Sequence, residues 1–140
     1  MTAADLHQQL DDAAEAQIPR EEQAAAGLAA FAGIAEEWGL NTDEQRRMLG
    51  NPGRTRFFAM KRGESTALSD DELDRLAYLT AIYALLNILY NAEGVRAWLN
   101  NPSRPDSMWR GQSPLDYLKT GRMEALIDVY RYLNGLRGAS

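Results

Sequence analysis

The run Ser69–Asn91 constrains this chain more than any other segment. Ser69-Asp70-Asp71-Glu72 has the form of a capping box, in which the serine oxygen accepts the N–H of the third helical residue and that residue's carboxylate accepts the serine N–H. Beyond it, Leu73, Leu76, Ala77, Leu79, Ile82, Tyr83, Leu85, Leu86, Ile88, Leu89 and Tyr90 cover much more than one stripe of a helix. A helix that apolar has to be buried on several sides. In a chain of 140 residues the expected cover is a partner subunit as well as the chain's own core, which predicts a dimer through the 69–91 helix. Its apolar stretch, Leu76–Tyr90, is too short for a bilayer span, and Thr80 and Asn87 interrupt it.

The remaining segments also read as helices. Residues 1–18 are rich in Ala, Gln and Asp and poor in large apolar groups, as expected of a weakly helical tail. Pro19 opens a helix to Trp38, with Glu21 and Glu22 in the first turn, where they suit the helix dipole. Leu28, Phe31, Ile34, Ala35 and Trp38 give it one apolar face. Asn41 or Thr42 caps a short helix, Asp43–Leu49, and Pro52-Gly53 opens another that runs to Arg62. After the long helix come a short one over Glu93–Leu99, a loop over 100–112, a helix started by Ser113-Pro114, and a last helix over Met123–Leu136. No segment alternates as a strand does. The expected fold is all-α, with a tail (1–18), a helix-turn-helix unit (19–67), and a C-terminal unit (68–140) that begins with the long helix.

Composition excludes several chemistries. The chain has no cysteine, hence no disulfide framework, thiolate zinc site or thiol nucleophile. That absence, and an N-terminus without a basic stretch followed by an apolar run, fit a cytoplasmic protein. The single histidine, His7, sits in the tail. The acids Asp70, Asp71, Glu72 and Asp74 are explained by the capping box, and Ser113 is a helix cap with no base beside it in sequence. No glycine loop for phosphate is present. No catalytic residue, metal or cofactor is expected.

The net charge of −5 hides a strong asymmetry. Residues 1–40 hold one arginine against eight acids, and residues 63–93 hold Arg75 against six, while residues 41–62 hold six bases against Asp43 and Glu44. This basic island coincides with the two short helices, whose outline is that of a helix-turn-helix. In such a motif the second helix enters the major groove with its N-terminal residues at base edges. Arg54, Thr55 and Arg56 then face bases or phosphates, and Lys61 and Arg62 lie at the far end of the helix. Arg46 and Arg47 on the preceding helix hold the DNA backbone, while Phe57, Phe58 and Met60 pack inward or against the neighbouring helix. The competing reading is a solvated charged face on two surface helices.

The segment 98–118 is the most distinctive. Trp98-Leu99-Asn100-Asn101-Pro102 ends one helix, and Gly111-Gln112-Ser113-Pro114-Leu115-Asp116 turns into the next. Trp98 reads as a core anchor, and Trp109, in a polar loop, as an exposed contact side chain.

These residues, with Gly121, the run Leu68–Leu76 and the ending Val129-Tyr130-Arg131-Tyr132-Leu133-Asn134-Gly135-Leu136-Arg137-Gly138, closely resemble the MbcA/ParS/Xre antitoxin family. The resemblance covers residues 28–138. It implies a type II antitoxin: an N-terminal Xre-like helix-turn-helix that represses the operon, and a C-terminal domain that neutralises a RES-domain toxin by covering its NAD pocket. On this resemblance the toxin-binding residues are Trp98, Asn100, Trp109, Arg110, Gly111, Ser113, Pro114, Arg131 and Arg137, with Arg137, beside a flexible Gly138, entering the toxin's nucleotide site. The chain departs from the family at Phe57-Phe58-Ala59-Met60-Lys61, where an aromatic-basic-Trp pattern is frequent, and at Met108-Trp109-Arg110. The alternatives are a helix-turn-helix regulator without a toxin and a helical adaptor that does not bind DNA.

Overall fold

Capping chemistry sets where most of the helices begin. The computed structural model describes residues 2–7, 18–64 and 67–139, and among them there are helices and turns but no strand. A short helix over residues 3–7 (α1) is followed by α2 (Arg20–Trp38), α3 (Thr42–Met48), α4 (Arg54–Lys61), α5 (Asp70–Leu89), α6 (Ala92–Asn100), α7 (Pro114–Lys119) and α8 (Met123–Ala139). Most of the expected N-terminal tail, residues 8–17, lies outside the described residues. The capping box at Ser69 is present: Ser69 Oγ accepts the Glu72 N–H at 3.1 Å and Glu72 Oε1 accepts the Ser69 N–H at 2.9 Å. Asn41 and Glu44 form a second box, with both bonds at 2.8 Å. Ser113 caps α7, and Pro114 follows at its first turn, where a missing N–H costs nothing.

The long helix α5 is the spine. Its 20 residues span about 30 Å, and it packs against α2 on the N-terminal side of the sequence and α8 on the C-terminal side. Leu76, Leu79, Ile82, Leu85 and Leu86 are buried, together with Phe31, Ile34 and Trp38 of α2 and Leu126, Val129 and Leu133 of α8. Gly27 lets α2 approach closely, since a methyl group there would lie 3.2 Å from Leu76 Cδ1. Polar ties hold the same contacts from outside: Arg20 pairs with Asp70 at 2.7 Å and donates to the Leu68 carbonyl, and the Tyr83 hydroxyl donates to Glu37 at 2.9 Å. The apolar breadth of α5, which suggested a partner subunit, is therefore met largely within one chain. The positions left exposed along it include Ala77, Thr80, Ala84, Asn87 and Ile88.

The N-terminal and C-terminal halves also meet directly. Helix α3 lies against α7, and the turn after α7 presses on it. Gly121 adopts φ +76°, and a Cβ there would fall 2.4 Å from the Arg47 carbonyl oxygen, a backbone atom. Both the conformation and the space require glycine. Gly121→Ala is accordingly expected to destabilise the fold by about 2–4 kcal/mol, read as a lower midpoint in denaturant unfolding; an unchanged midpoint would show that the turn is free to move.

Candidate functional site

Two surfaces are candidates, one on each half. On the N-terminal half, α3 and α4 are joined by the turn 49–53, in which Asn51 takes φ 63° and donates its N–H to the Arg46 carbonyl at 2.6 Å. Phe57 and Met60 are 1% exposed and anchor α4 to the core. The opposite face of α4 presents Arg54, Thr55, Phe58, Lys61 and the following Arg62, all exposed. Their spacing of one, four, seven and eight residues keeps them on one stripe. Gly53 at the head of α4 supplies no side-chain cap, so the first-turn N–H groups are left for an outside acceptor.

The structure divides the predicted DNA-contacting residues. Arg54, Thr55, Lys61 and Arg62 face outward, with Arg54 3.6 Å from Asp43 and Arg62 2.7 Å from Glu64. Arg56 turns inward: its Nη2 donates to Glu72, a carboxylate only 7% exposed, and to the Ala67 carbonyl. Arg46 is spent on the turn itself, with Nε donating to the Pro52 carbonyl at 3.0 Å. Arg47 donates from Nε to the Lys119 carbonyl at 3.1 Å. Phe58, expected to pack inward or against the neighbouring helix, is 39% exposed on the outward stripe and meets Phe57 edge-on. An exposed phenylalanine among cations was the feature that sequence reasoning missed; the helical spacing from Arg54 to Phe58 was its signal.

On the C-terminal half the loop after α6 closes upon itself. The Gln112 carbonyl accepts both the N–H and the hydroxyl of Ser103, at 3.1 and 2.6 Å, and the Ser107 hydroxyl bonds Ser103 Oγ. Trp109 plugs the loop, 6% exposed, with its ring 5.2 Å from Tyr132, 5.9 Å from Tyr117 and 6.1 Å from Trp98. Trp109, expected as a contact side chain, is buried as an anchor, while Trp98, expected as a core anchor, is half-buried against the core and stacks on the exposed Tyr132. Burying Trp109 forces the chain to reverse after it. Arg110 takes φ 53° and Gly111 φ 86°, which presents the Arg110 side chain to solvent.

The other predicted positions fall around this loop. Asn100 is exposed, with Nδ2 donating to the Arg96 carbonyl. Ser113 and Pro114 are buried and set the start of α7. Arg131 is exposed on α8. Arg137 lies in the last turn of α8, which runs through Gly138 to Ala139 and does not break into a flexible tail there. Beside the loop is a polar cavity of about 300 Å³ bounded by Arg110, Gln112, Tyr117, Arg122 and Asp128. Burial pushes the Tyr117 phenol up to about 12, and the bond it donates to Asp128 Oδ2 at 2.6 Å adds to this. It therefore acts there as a fixed donor.

Residues 17–80 match the antitoxin Xre-like helix-turn-helix domain, and residues 84–138 match the antitoxin Xre/MbcA/ParS C-terminal toxin-binding domain. The chain belongs to the Xre/MbcA/ParS antitoxin family. It is also 38% identical over 115 residues to a protein named uncharacterized protein y4oB from Sinorhizobium fredii (strain NBRC 101917 / NGR234), a match spanning 81% of this chain and 85% of that one. The α4 stripe belongs to the antitoxin's helix-turn-helix domain, and the Trp109 loop with α8 to its toxin-binding domain. The pair of domains is that of a type II antitoxin. No helix among the described residues is long and apolar enough to cross a membrane.

The inward turn of Arg56 separates two arginines that look equivalent in sequence. Arg56→Ala leaves the Glu72 carboxylate without its cation and is expected to lower stability by about 1–3 kcal/mol. Arg54→Ala, on the exposed stripe, is expected to leave the melting temperature within a degree or so of wild type, a change of under about 0.5 kcal/mol. Equal melting temperatures for the two variants would contradict this assignment.

Proposed function

We propose that this antitoxin neutralises a RES-domain toxin that consumes NAD, by covering the toxin's NAD pocket, and represses its own operon through the outward face of α4. The observation that carries the reading is the union in one chain of an Xre-like helix-turn-helix domain and an Xre/MbcA/ParS toxin-binding domain. The resemblance of the C-terminal motif to antitoxins of RES toxins supplies the toxin class. A self-closed loop plugged by Trp109 gives a partner a surface of fixed shape, and a rigid surface loses little conformational entropy on binding. Tyr132 and Arg110 are exposed on it and Trp98 is half-buried beside them, and residues of this kind dominate interface energies. Arg131 and Arg137 extend that surface along α8. Since α8 stays helical to its end, Arg137 enters the toxin's cleft on a helix end, where a guanidinium pairs with acidic or carbonyl groups.

On the DNA side, Arg54 and Thr55 reach base edges, Lys61 and Arg62 reach phosphates, and the uncapped head of α4 accepts another phosphate. So few contacts per half-site call for two copies on the operator. The exposed α5 positions Ala77, Thr80, Ala84, Asn87 and Ile88 are the surface assigned to that dimer.

The test is co-expression with the product of the adjacent toxin gene, followed by measurement of cellular NAD. The toxin alone is expected to deplete NAD, the full antitoxin to restore it, and a chain lacking residues 136–140 to restore it incompletely. A toxin that leaves NAD intact would overturn the RES assignment. Full protection by the shortened chain would overturn the role of the α8 end.

A further inference from the structure

The contact between α3 and the turn that follows α7 is built with more care than two tethered domains require. Helix α3 has seven residues and is too short to hold its pose unaided. The turn grips it along its whole length. Near the start of α3, Glu44 Oε2 pairs with Lys119 Nζ at 3.1 Å, with side chains only 15% and 24% exposed. In the middle, Arg47 Nε donates to the Lys119 carbonyl at 3.1 Å. At the end, Arg75 Nη1 donates to both the Gly121 carbonyl at 2.6 Å and the Met48 carbonyl at 3.4 Å. The Glu44 carboxyl is held below the ordinary carboxylate range, first by the Asn41 N–H and then by Lys119. Gly121 itself lies so close to the Arg47 carbonyl that no side chain fits between them.

These partners sit on opposite sides of the two matched domains. Glu44, Arg47 and Met48 belong to the helix-turn-helix domain, and Lys119 and Gly121 to the toxin-binding domain. An exposed ion pair contributes little. Here the pair is mostly out of water and shares its interface with bonds from two guanidinium groups, so the geometry is fixed rather than one of many. Helix α4 has its own anchor in Phe57 and Met60, and it follows α3 through a turn that Arg46 closes. What the 119–121 turn sets is therefore the pose of α3, the helix that crosses the DNA backbone in this motif, and with it the placing of Asp43 beside Arg54.

We infer that Lys119 and Gly121 of the toxin-binding domain are positioning residues for DNA binding, and that the helix-turn-helix of this antitoxin is completed by its neighbouring domain. The inference rests on the DNA-binding reading proposed above. It assigns Lys119 a role unconnected with toxin contact, because its ammonium is turned onto α3.

The test uses the full chain and the variant Lys119→Met, which keeps the aliphatic stem and removes the charge. Hydrogen exchange by mass spectrometry reports on residues 42–48, and a labelled duplex carrying the sequence upstream of the gene reports on DNA affinity. The expected result is an unchanged helical circular-dichroism signal, exchange in α3 faster by roughly tenfold with α8 unaffected, and duplex affinity lower by a similar factor. Lys119→Arg, which keeps a cation opposite Glu44 and leaves the Asn41–Glu44 box intact, is expected to retain both. Arg54→Ala is expected to lose affinity with no change in exchange. Unchanged α3 exchange in Lys119→Met overturns the inference, as does faster exchange with wild-type affinity. A wild-type chain that leaves the duplex unbound overturns the DNA-binding reading and the inference with it, whereas wild-type binding with unchanged exchange overturns the inference alone.

Discussion

The Arg75 guanidinium is the point on which both halves of the molecule depend. It is 9% exposed, and an arginine removed from water to that extent costs several kcal/mol unless its donors are met. Nε is met by Asp71 Oδ2 at 2.8 Å on the same helix, and Nη1 by the Met48 carbonyl at the end of α3 and the Gly121 carbonyl after α7. One side chain thus ties α5, α3 and the α7–α8 turn together. Room for it comes from Gly50 as well, where a Cβ would lie 3.0 Å from Asp71 Oδ2 and 3.2 Å from Arg75 Nε. Two glycines far apart in sequence serve one buried cation.

From that knot the functional surfaces follow. Helix α5 carries α2 on one flank and α8 on the other, and the two family domains divide it between residues 80 and 84. Neither domain has a core without it. The outward stripe of α4 is fixed by Phe57, Met60 and the Arg56–Glu72 pair, and the C-terminal loop is fixed by Trp109 among Trp98, Tyr117 and Tyr132. In each case a buried aromatic holds a polar segment in one shape, which is what recognition of a partner requires.

Much of this was legible in the sequence because it is local. Asn41 as one of two candidate caps, Ser69 with Glu72, and Ser113 with Pro114 mark helix starts by chemistry that acts within three residues, and the structure has a cap at each. The all-α fold and the two-domain family followed from such signals and from the C-terminal motif. The direction of long side chains was not legible. Arg46, Arg47 and Arg56 sit on a basic island, yet Arg46 is bound to a carbonyl of the turn it closes, and Arg47 and Arg56 to groups brought in by tertiary packing, across 72 residues for Arg47. The burial of Trp109 was hidden for a related reason: a loop rich in polar residues can bury its one large aromatic when neighbouring helices offer three rings to receive it. Arg75 itself carried a signal, as the single base within residues 63–93, an otherwise acidic and apolar stretch. A lone base in such a helix has a task.

On this packing the helix-turn-helix and toxin-binding domains form one cooperative unit around α5 and Arg75, and differential scanning calorimetry of the full chain is the decisive measurement. A single transition whose calorimetric and van 't Hoff enthalpies agree is predicted. Two resolved transitions, or a van 't Hoff enthalpy well below the calorimetric one, would show that the halves melt independently and would contradict that unity.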